Sequence, residues 1–331
     1  MTNMLTKETS FPRVAVMGCG KWGKNLVRNF AELGTLAAVC DKDRDTAQNV
    51  ATQYEVPFFS EDALFTQPEI EAIVIATEAA SHEAHAEAAL KAGKHVYIEK
   101  PMTLSTLAAQ KLCSLATTHN CILMVGHILN YHPAFITLKN HLQDLGPLRH
   151  IYANRLGLGR FRHQESVLWD LASHDISLIL ALTQAMPQSV SAIGQAYLTP
   201  QKPASALLTM TFSNGLTAHI QASWLSPFKE QKLVVIGESG IAVFDDCKPW
   251  PEKLQISTEC LIWQKGLCHA NEGVQTKNIP LSPSEPLKNE CLHFLTCIQK
   301  GEAPLTSGQE GLRVTEVLEK AEHSLQTRNN V

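Results

Sequence analysis

Long apolar runs are missing from this 331-residue chain. None approaches the roughly 20 residues needed to cross a bilayer, so no membrane partner is expected. A basic excess is missing too: 28 Lys and Arg stand against 32 Asp and Glu, a net charge of −4. Nothing therefore points to nucleic acid or an anionic membrane as a partner. The nine cysteines contain no C-x-x-C pair, and their odd number leaves at least one without an intrachain partner. Reduced thiols acting as small apolar filler are the economical reading, with Cys113, Cys121, Cys291 and Cys297 in apolar patterns. Residues 1–10 are polar and lack the apolar core of a secretory signal, so the expected compartment is the cytoplasm. Internal repeats and low-complexity segments are absent. What remains is an ordinary globular composition, 44% hydrophobic, on a length suited to two domains of roughly 100–200 residues each.

One stretch organises the rest. Val14-Ala15-Val16-Met17 runs into Gly18-Cys19-Gly20-Lys21-Trp22-Gly23, three glycines at G-x-G-x-x-G spacing, and Leu26, Val27 and Phe30 then recur at helical intervals. This reads as a buried strand, a tight turn and a helix whose N-terminus faces a phosphate. Gly18 permits the turn, Gly20 lets the backbone approach a pyrophosphate, and Gly23 lets helix and strand pack closely. A second apolar run, 36–40, ends in Asp41, 23 positions after Gly18. The acid that binds the adenosine ribose is expected at about 20. A carboxylate there repels a 2′-phosphate and favours NAD over NADP, although Lys42 and Arg44 stand nearby.

From Val14 to about Gly126, apolar strands alternate with helical segments, the pattern of a parallel sheet with crossovers. Strands are expected at 58–60, 72–76, 95–98 and 122–125, and helices at 82–91 and 106–117. The character then changes. Helical residues around 134–145 precede a strand at 148–156, an arginine-bearing loop at 157–164 and a helix at 173–183. Strand-like runs follow at 189–197, 206–212, 216–223, 233–236 and 241–244, with Ser213-Asn214-Gly215 a strong hairpin signal. Residues 249–286 read as irregular, and helices at 288–300 and 309–324 close the chain. The expected class is α/β: a Rossmann doubly wound domain over 1–126, and over 127–331 an α/β domain with a large, mostly antiparallel open sheet.

Ligands of open parallel sheets bind beyond the carboxyl ends of the strands, which directs attention to Thr77, Glu99, Lys100 and His127. A lysine at a strand end can give and take a proton; equally, it can be a surface lysine paired with Glu99. Asp170 and His174 stand at i and i+4, one face of a helix. An imidazole oriented by a carboxylate is an acid/base unit, and a capped helix with a core histidine is the alternative. Arg155, Arg160 and Arg162 suit bidentate phosphate contacts, against a solvated basic loop. Ser81-His82-Glu83-Ala84-His85 lacks H-E-x-x-H spacing and a third ligand cluster, so no metal is expected.

Taken in order, G-C-G-K-W-G, Cys40-Asp41, Ile75-Ala76-Thr77 with His82, A-G-K-H-V-Y-I-E-K-P over 92–101 and the Asp170/His174 pair resemble the Gfo/Idh/MocA oxidoreductases. The resemblance runs over nearly the whole chain, and the E-K-P step is its most specific part. It implies an NAD(P)-dependent dehydrogenase acting on CH–OH groups of sugars, cyclitols or their relatives. It implies Lys100 as catalytic acid/base, His174 as its partner at the reacting hydroxyl and Asp170 assisting, with a cis Lys100-Pro101 bond. Gly18, Gly20, Lys21, Trp22, Gly23, Asp41, Thr77, His82, Glu99 and Lys100 fall to the cofactor, and Tyr131 and His132 to the sugar pocket. The open sheet implies a homodimer or homotetramer. Two departures stand out: Glu78 replaces a usual proline, and the arginine common just before the Asn130-Tyr131-His132-Pro133 segment is absent. Substrate preference therefore does not follow from the polyol-oxidising members. Within the family, V-G-H-I-L-N-Y-H-P-A-F, N-R-L-G-L-G-R-F-R and W-D-L-A-S-H-D-I-S look most like sugar-nucleotide 3-dehydrogenases. Those enzymes oxidise C-3 of UDP-N-acetylglucosamine or its uronate, supplying a ketone that is aminated for lipopolysaccharide sugars. Arg155, Arg160 and Arg162 would then meet the diphosphate. A free-sugar or cyclitol dehydrogenase is the first alternative, and a non-catalytic NAD-sensing regulator the second.

Overall fold

Val14–Met17 is four apolar residues, all buried, as expected of a parallel strand covered on both faces. It forms β1 of a computed structural model that describes residues 11–159, 161, 165–197, 202–258, 261–264, 267–270, 274 and 276–328. Arg160 and Arg162 lie outside the described residues. The chain divides into two compact units, Met1–Gly126 with Leu287–Leu312, and His127–Pro286 with Arg313–Val331.

In the first unit, β1 is followed by α1 (Gly23–Glu32), β2 (Leu36–Cys40), α2 (Arg44–Tyr54), α3 (Glu61–Phe65), β3 (Ala72–Ile75), α4 (Ala79–Lys91), β4 (His95–Glu99), α5 (Thr106–Thr118) and β5 (Leu123–Gly126). The five strands lie in the order β2-β1-β3-β4-β5, and every pairing is parallel. The Rossmann sheet expected from the alternation is therefore present. The strand expected at 58–60 is reduced to a single parallel bridge between Val39 and Phe58, because Pro57 has no N–H to extend a ladder there. The Asp43 side chain accepts from the N–H groups of Asp45 and Thr46 and starts α2, and Ser105 does the same for α5 through Ala108.

The second unit opens with a 3₁₀ turn, Ile128–Tyr131, and α6 (Pro133–Asn140). Then come β6 (Leu148–Leu158), α7 (Ser173–Thr183), β7 (Ser189–Gln195), β8 (Ser205–Thr211), β9 (Thr217–Ser223), β10 (Leu225–Gly237), β11 (Gly240–Asp245), β12 (Leu254–Thr258), the hairpin β13 (Leu261–Gln264) and β14 (Leu267–Ala270), and β15 (Lys277–Asn278). Helices α8 (Pro286–Lys300) and α9 (Gly308–Arg328) end the chain. The large sheet has the order β15-β12-β11-β10-β6-β9-β8-β7, and only β6 and β9 pair in parallel. The stretch 249–286, expected to be irregular, thus contributes two strands to this sheet and a separate hairpin; Leu254 and Ile256 alternate inward in it.

Register places the core. Ala192, Leu208, Ile220, Ala153, Leu233, Phe244 and Leu254 lie opposite one another across seven strands, and all are buried. The adjoining row turns the other way, leaving Ile193 and Leu207 exposed. Val317, Leu318, Leu178 and Ile179 from α9 and α7 belong to the same apolar cluster as the buried row. Among the described residues no helix is long and apolar enough to cross a membrane.

Candidate active site

The glycine loop of the first unit has three distinct constraints. Gly18 has φ +93°, and a Cβ there would come within 2.6 Å of the Ala76 carbonyl oxygen. A Cβ on Gly23 would overlap the Gly18 carbonyl itself. Gly20 differs: a Cβ there would meet nothing within 4 Å, so its backbone borders open space beside the start of α1. No side chain caps that helix start, which leaves its N–H dipoles for an anion. The loop is tied to β2 through Asp41, whose Oδ2 accepts the Cys19 N–H at 2.6 Å and whose Oδ1 accepts the Asp43 N–H at 2.9 Å. A half-buried carboxylate with lone pairs to spare is what a ribose diol requires. These residues fit a dinucleotide. The neighbouring thiols are inert: burial pushes Cys19 up to about 12 and Cys40 up to about 11.

At the carboxyl ends of β3 and β4 a second cluster forms. Trp22 Nε1 donates to Glu99 Oε1 at 2.6 Å, and the Lys100 backbone N–H donates to Glu99 Oε2 at 3.3 Å. Lys100 itself is half-buried and precedes a cis Pro101. His82, 1% exposed, faces the Pro101 carbonyl through Nδ1 at 2.8 Å and the Thr77 carbonyl through Nε2 at 3.2 Å. It thereby joins the two strand-end turns. Burial lowers its pKa, against the pull of the two carbonyls. Thr77 Oγ1 meets His85 Nδ1 and Ser81 Oγ, both at 3.1 Å. Lys21 is exposed beside Gly20.

The second unit carries a cavity of about 410 Å³ whose lining includes His132, Arg155, His174, Gln231, Asp246, Trp250 and Lys253. Pro133 opens α6, and His132 caps it, Nδ1 accepting the Ala134 N–H at 3.0 Å. That acceptance puts the ring proton on Nε2, which lies 3.4 Å from Asp246 Oδ1. The His132 ring stacks on Trp250 with centroids 5.2 Å apart and planes 16° apart. Lys253 donates to the Asp246 carboxylate at 2.7 Å. Although burial works to raise it, Asp246 is held down at about 2 by the His132 imidazole and the Lys253 ammonium.

Arg155 follows Ile151 and Ala153 on the inward face of β6 and is 8% exposed. Its Nε donates to Asp175 Oδ2 at 2.7 Å and its Nη2 to Asp175 Oδ1 at 2.8 Å. Against the cost of burial, Asp175 holds the guanidinium pKa above its ordinary value. Tyr131 is buried in the turn before His132. Asp170 and His174 do not share one α-helix: Asp170 lies in a single π-helical turn, Leu168–Ala172, and His174 in the first turn of α7. Asp170 Oδ2 accepts from Trp224 Nε1 at 3.0 Å. Asp246, Trp250 and Lys253 were not expected from the sequence: Trp250 and Lys253 sit in the stretch 249–286 whose prolines mask its strands, and Asp246 directly follows β11 with no motif around it.

A family model described as an oxidoreductase family with an NAD-binding Rossmann fold matches residues 12–127, and a GFO/IDH/MocA C-terminal domain model matches residues 144–243. A UDP-N-acetylglucosamine 3-dehydrogenase of Acidithiobacillus ferrooxidans is 31% identical over 306 residues, covering 91% of this chain and 93% of that protein. A scyllo-inositol 2-dehydrogenase (NAD(+)) of Bacillus subtilis is 25% identical, covering 89% and 88%. Among solved structures, the Acidithiobacillus ferrooxidans UDP-N-acetylglucosamine 3-dehydrogenase superposes with a TM-score of 0.86 at 30% identity, covering 95% of this chain and 97% of that one.

Proposed function

This chain belongs to the Gfo/Idh/MocA oxidoreductase family, and we propose that it oxidises a sugar-nucleotide hydroxyl to a ketone, at C-3 of UDP-N-acetylglucosamine or a close relative. The observation that carries the reading is Lys100 at the carboxyl end of β4, where an open parallel sheet presents its ligands. In this reading Gly18, Gly20, Lys21, Trp22 and Gly23 hold the cofactor pyrophosphate, and Asp41 holds the adenosine ribose. Thr77, His82 and Glu99 shape the strand ends next to it. When bound, NAD supplies the acceptor for the hydride. Lys100 takes the hydroxyl proton, a general-base role open to an amine placed at the strand end. His174 is the partner acid/base, with Asp170 assisting. His132, Arg155 and Tyr131 belong to the sugar site, and Arg160 and Arg162 to the diphosphate. The large sheet's exposed row, including Ile193 and Leu207, supports a homodimer or homotetramer, working in the cytoplasm on a precursor of lipopolysaccharide sugars.

A second reading has its own observation. The cavity's bases are matched by acids, Arg155 by Asp175 and Lys253 by Asp246, and a compensated cavity suits an uncharged cyclitol or free sugar. NADH absorbance monitored side by side with UDP-N-acetylglucosamine, its uronate and myo-inositol decides between them. Turnover of the UDP-sugars alone supports the proposal, and turnover of myo-inositol alone sinks it. Lys100→Ala is expected to bind NAD while losing turnover by several orders of magnitude; near-wild-type turnover removes Lys100 from the chemistry.

A further inference from the structure

Glu290 on α8 is 0% exposed and has no part in the chemistry above. Its Oε2 lies 2.9 Å from the Tyr97 hydroxyl. The same hydroxyl lies 3.3 Å from Glu99 Oε1. Tyr97 therefore stands between two buried carboxyl groups, with its ring held edge-on against Phe294 at 5.8 Å.

A proton count decides how this cluster is charged. A phenol has one hydrogen. Between two carboxylates it serves one and leaves the other oxygen pair in contact with no proton between them. If one carboxyl is protonated, each contact carries a hydrogen. Glu99 already receives N–H donors on both oxygens, from Trp22 and from the Lys100 backbone. Glu290 Oε1 has no hydrogen-bond partner among the described residues, which is costly for a charged oxygen and cheap for a neutral carbonyl. The proton therefore belongs on Glu290. The surrounding groups agree. Burial pushes Glu290 well above the ordinary carboxyl range, and the charges of Glu99 and Glu310 push the same way, outweighing the hydrogen bond from Tyr97. Burial leaves Glu99 above the ordinary range as well, but the Trp22 indole, the Lys100 charge and the Tyr97 hydroxyl offset part of that rise. Cys291 is the remaining titratable neighbour of Tyr97. Gly126 leaves the necessary room, since a Cβ there would lie 2.8 Å from the Tyr97 hydroxyl and 3.0 Å from the Glu99 carboxyl carbon.

We propose that Glu290 is a permanently neutral carboxylic acid and a positioning residue. By donating to Tyr97 it aims the Tyr97 hydroxyl at Glu99 and keeps Glu99 the carboxylate beside Lys100, the form on which turnover depends. Only the kinetic consequence rests on the dehydrogenase reading; the protonation state does not.

Two measurements test it. The infrared difference spectrum of the wild type against Glu290→Gln at neutral pH is expected to show loss of a protonated-carboxyl stretch that shifts in heavy water. Loss of carboxylate bands instead overturns the assignment. In kcat/KM against pH, Tyr97→Phe is expected to move the acid limb up by about one pH unit, because Glu99 loses the hydroxyl donor and holds its proton more tightly. Glu290→Gln, whose amide N–H still donates to Tyr97, keeps the wild-type limb. An unmoved limb in Tyr97→Phe, a variant that keeps the packed ring, overturns the positioning role. The infrared result needs no substrate, so failure of the proposed reaction is distinguishable from failure of this assignment.

Discussion

Arg155 and Asp175 close a buried two-point ion pair, with both nitrogen–oxygen distances under 3 Å. It fastens β6 to α7, the helix that carries His174. Removing one partner strands the other charge in the interior. Arg155→Leu is therefore expected to cost about 3–5 kcal/mol by urea unfolding, and exchanging both residues for apolar ones is expected to recover most of it. Arg155→Lys should keep only part of the stability, since an ammonium lacks the guanidinium fork. Unchanged stability in Arg155→Lys with a raised KM would instead identify Arg155 as a substrate contact first.

The glycines of the first loop are expected to separate by experiment. Gly20→Ala places a methyl in open space, so the thermal midpoint should stay within a degree or two while NAD affinity drops about tenfold or more as the methyl blocks the pyrophosphate. Gly23→Ala drives a methyl into the Gly18 carbonyl and should lower both stability and affinity. Equal loss of stability in the two variants would contradict this division.

Asp41 is expected to carry the cofactor preference in the proposed function. Asp41→Ala removes the charge that repels a 2′-phosphate, so the ratio of NADP to NAD dissociation constants should fall by about tenfold, the effect of roughly 1.4 kcal/mol. Because the Cys19 N–H loses its acceptor, absolute NAD affinity should fall as well. A ratio that does not move assigns the discrimination elsewhere.

Asp246 predicts a pH window. Its folded pKa of about 2 lies below the roughly 3.9 of an unfolded aspartate. Its stabilisation is therefore present above about pH 4 and is lost as the pH falls toward 2. Asp246→Asn should cost about 1–2 kcal/mol at pH 7, allowing for the carboxylate's partial exposure. The gap between the variants should close on going from pH 4 to 2. A gap that persists at pH 2 would mean the carboxylate charge is not what stabilises.

The glycine loop, Asp41, Thr77 and the Glu99-Lys100-Pro101 step were legible because each follows an apolar strand, and the ends of parallel strands gather at one sheet edge whatever the details. The buried row of the second sheet was partly legible from its period-two alternation. The strands β12 and β15 were not, because their surrounding prolines read as loop. Leu287–Leu312 was expected in the second domain on grounds of chain order, yet it packs with the first unit. Helical spacing shows that Cys291, Phe294 and Leu295 are buried, but not against what.

The Rossmann sheet, the cofactor class and the candidate proton-transfer group can be read from the residues alone, since these depend on local patterns a few residues long. It takes the folded chain to show that Arg155 is matched by Asp175, that His132 stacks on Trp250 beside Asp246, and that Tyr97 and Glu290 meet across 193 positions. Such pairings depend on which buried faces meet, and a charge or hydroxyl in a one-dimensional pattern carries no mark of the partner that burial will force upon it.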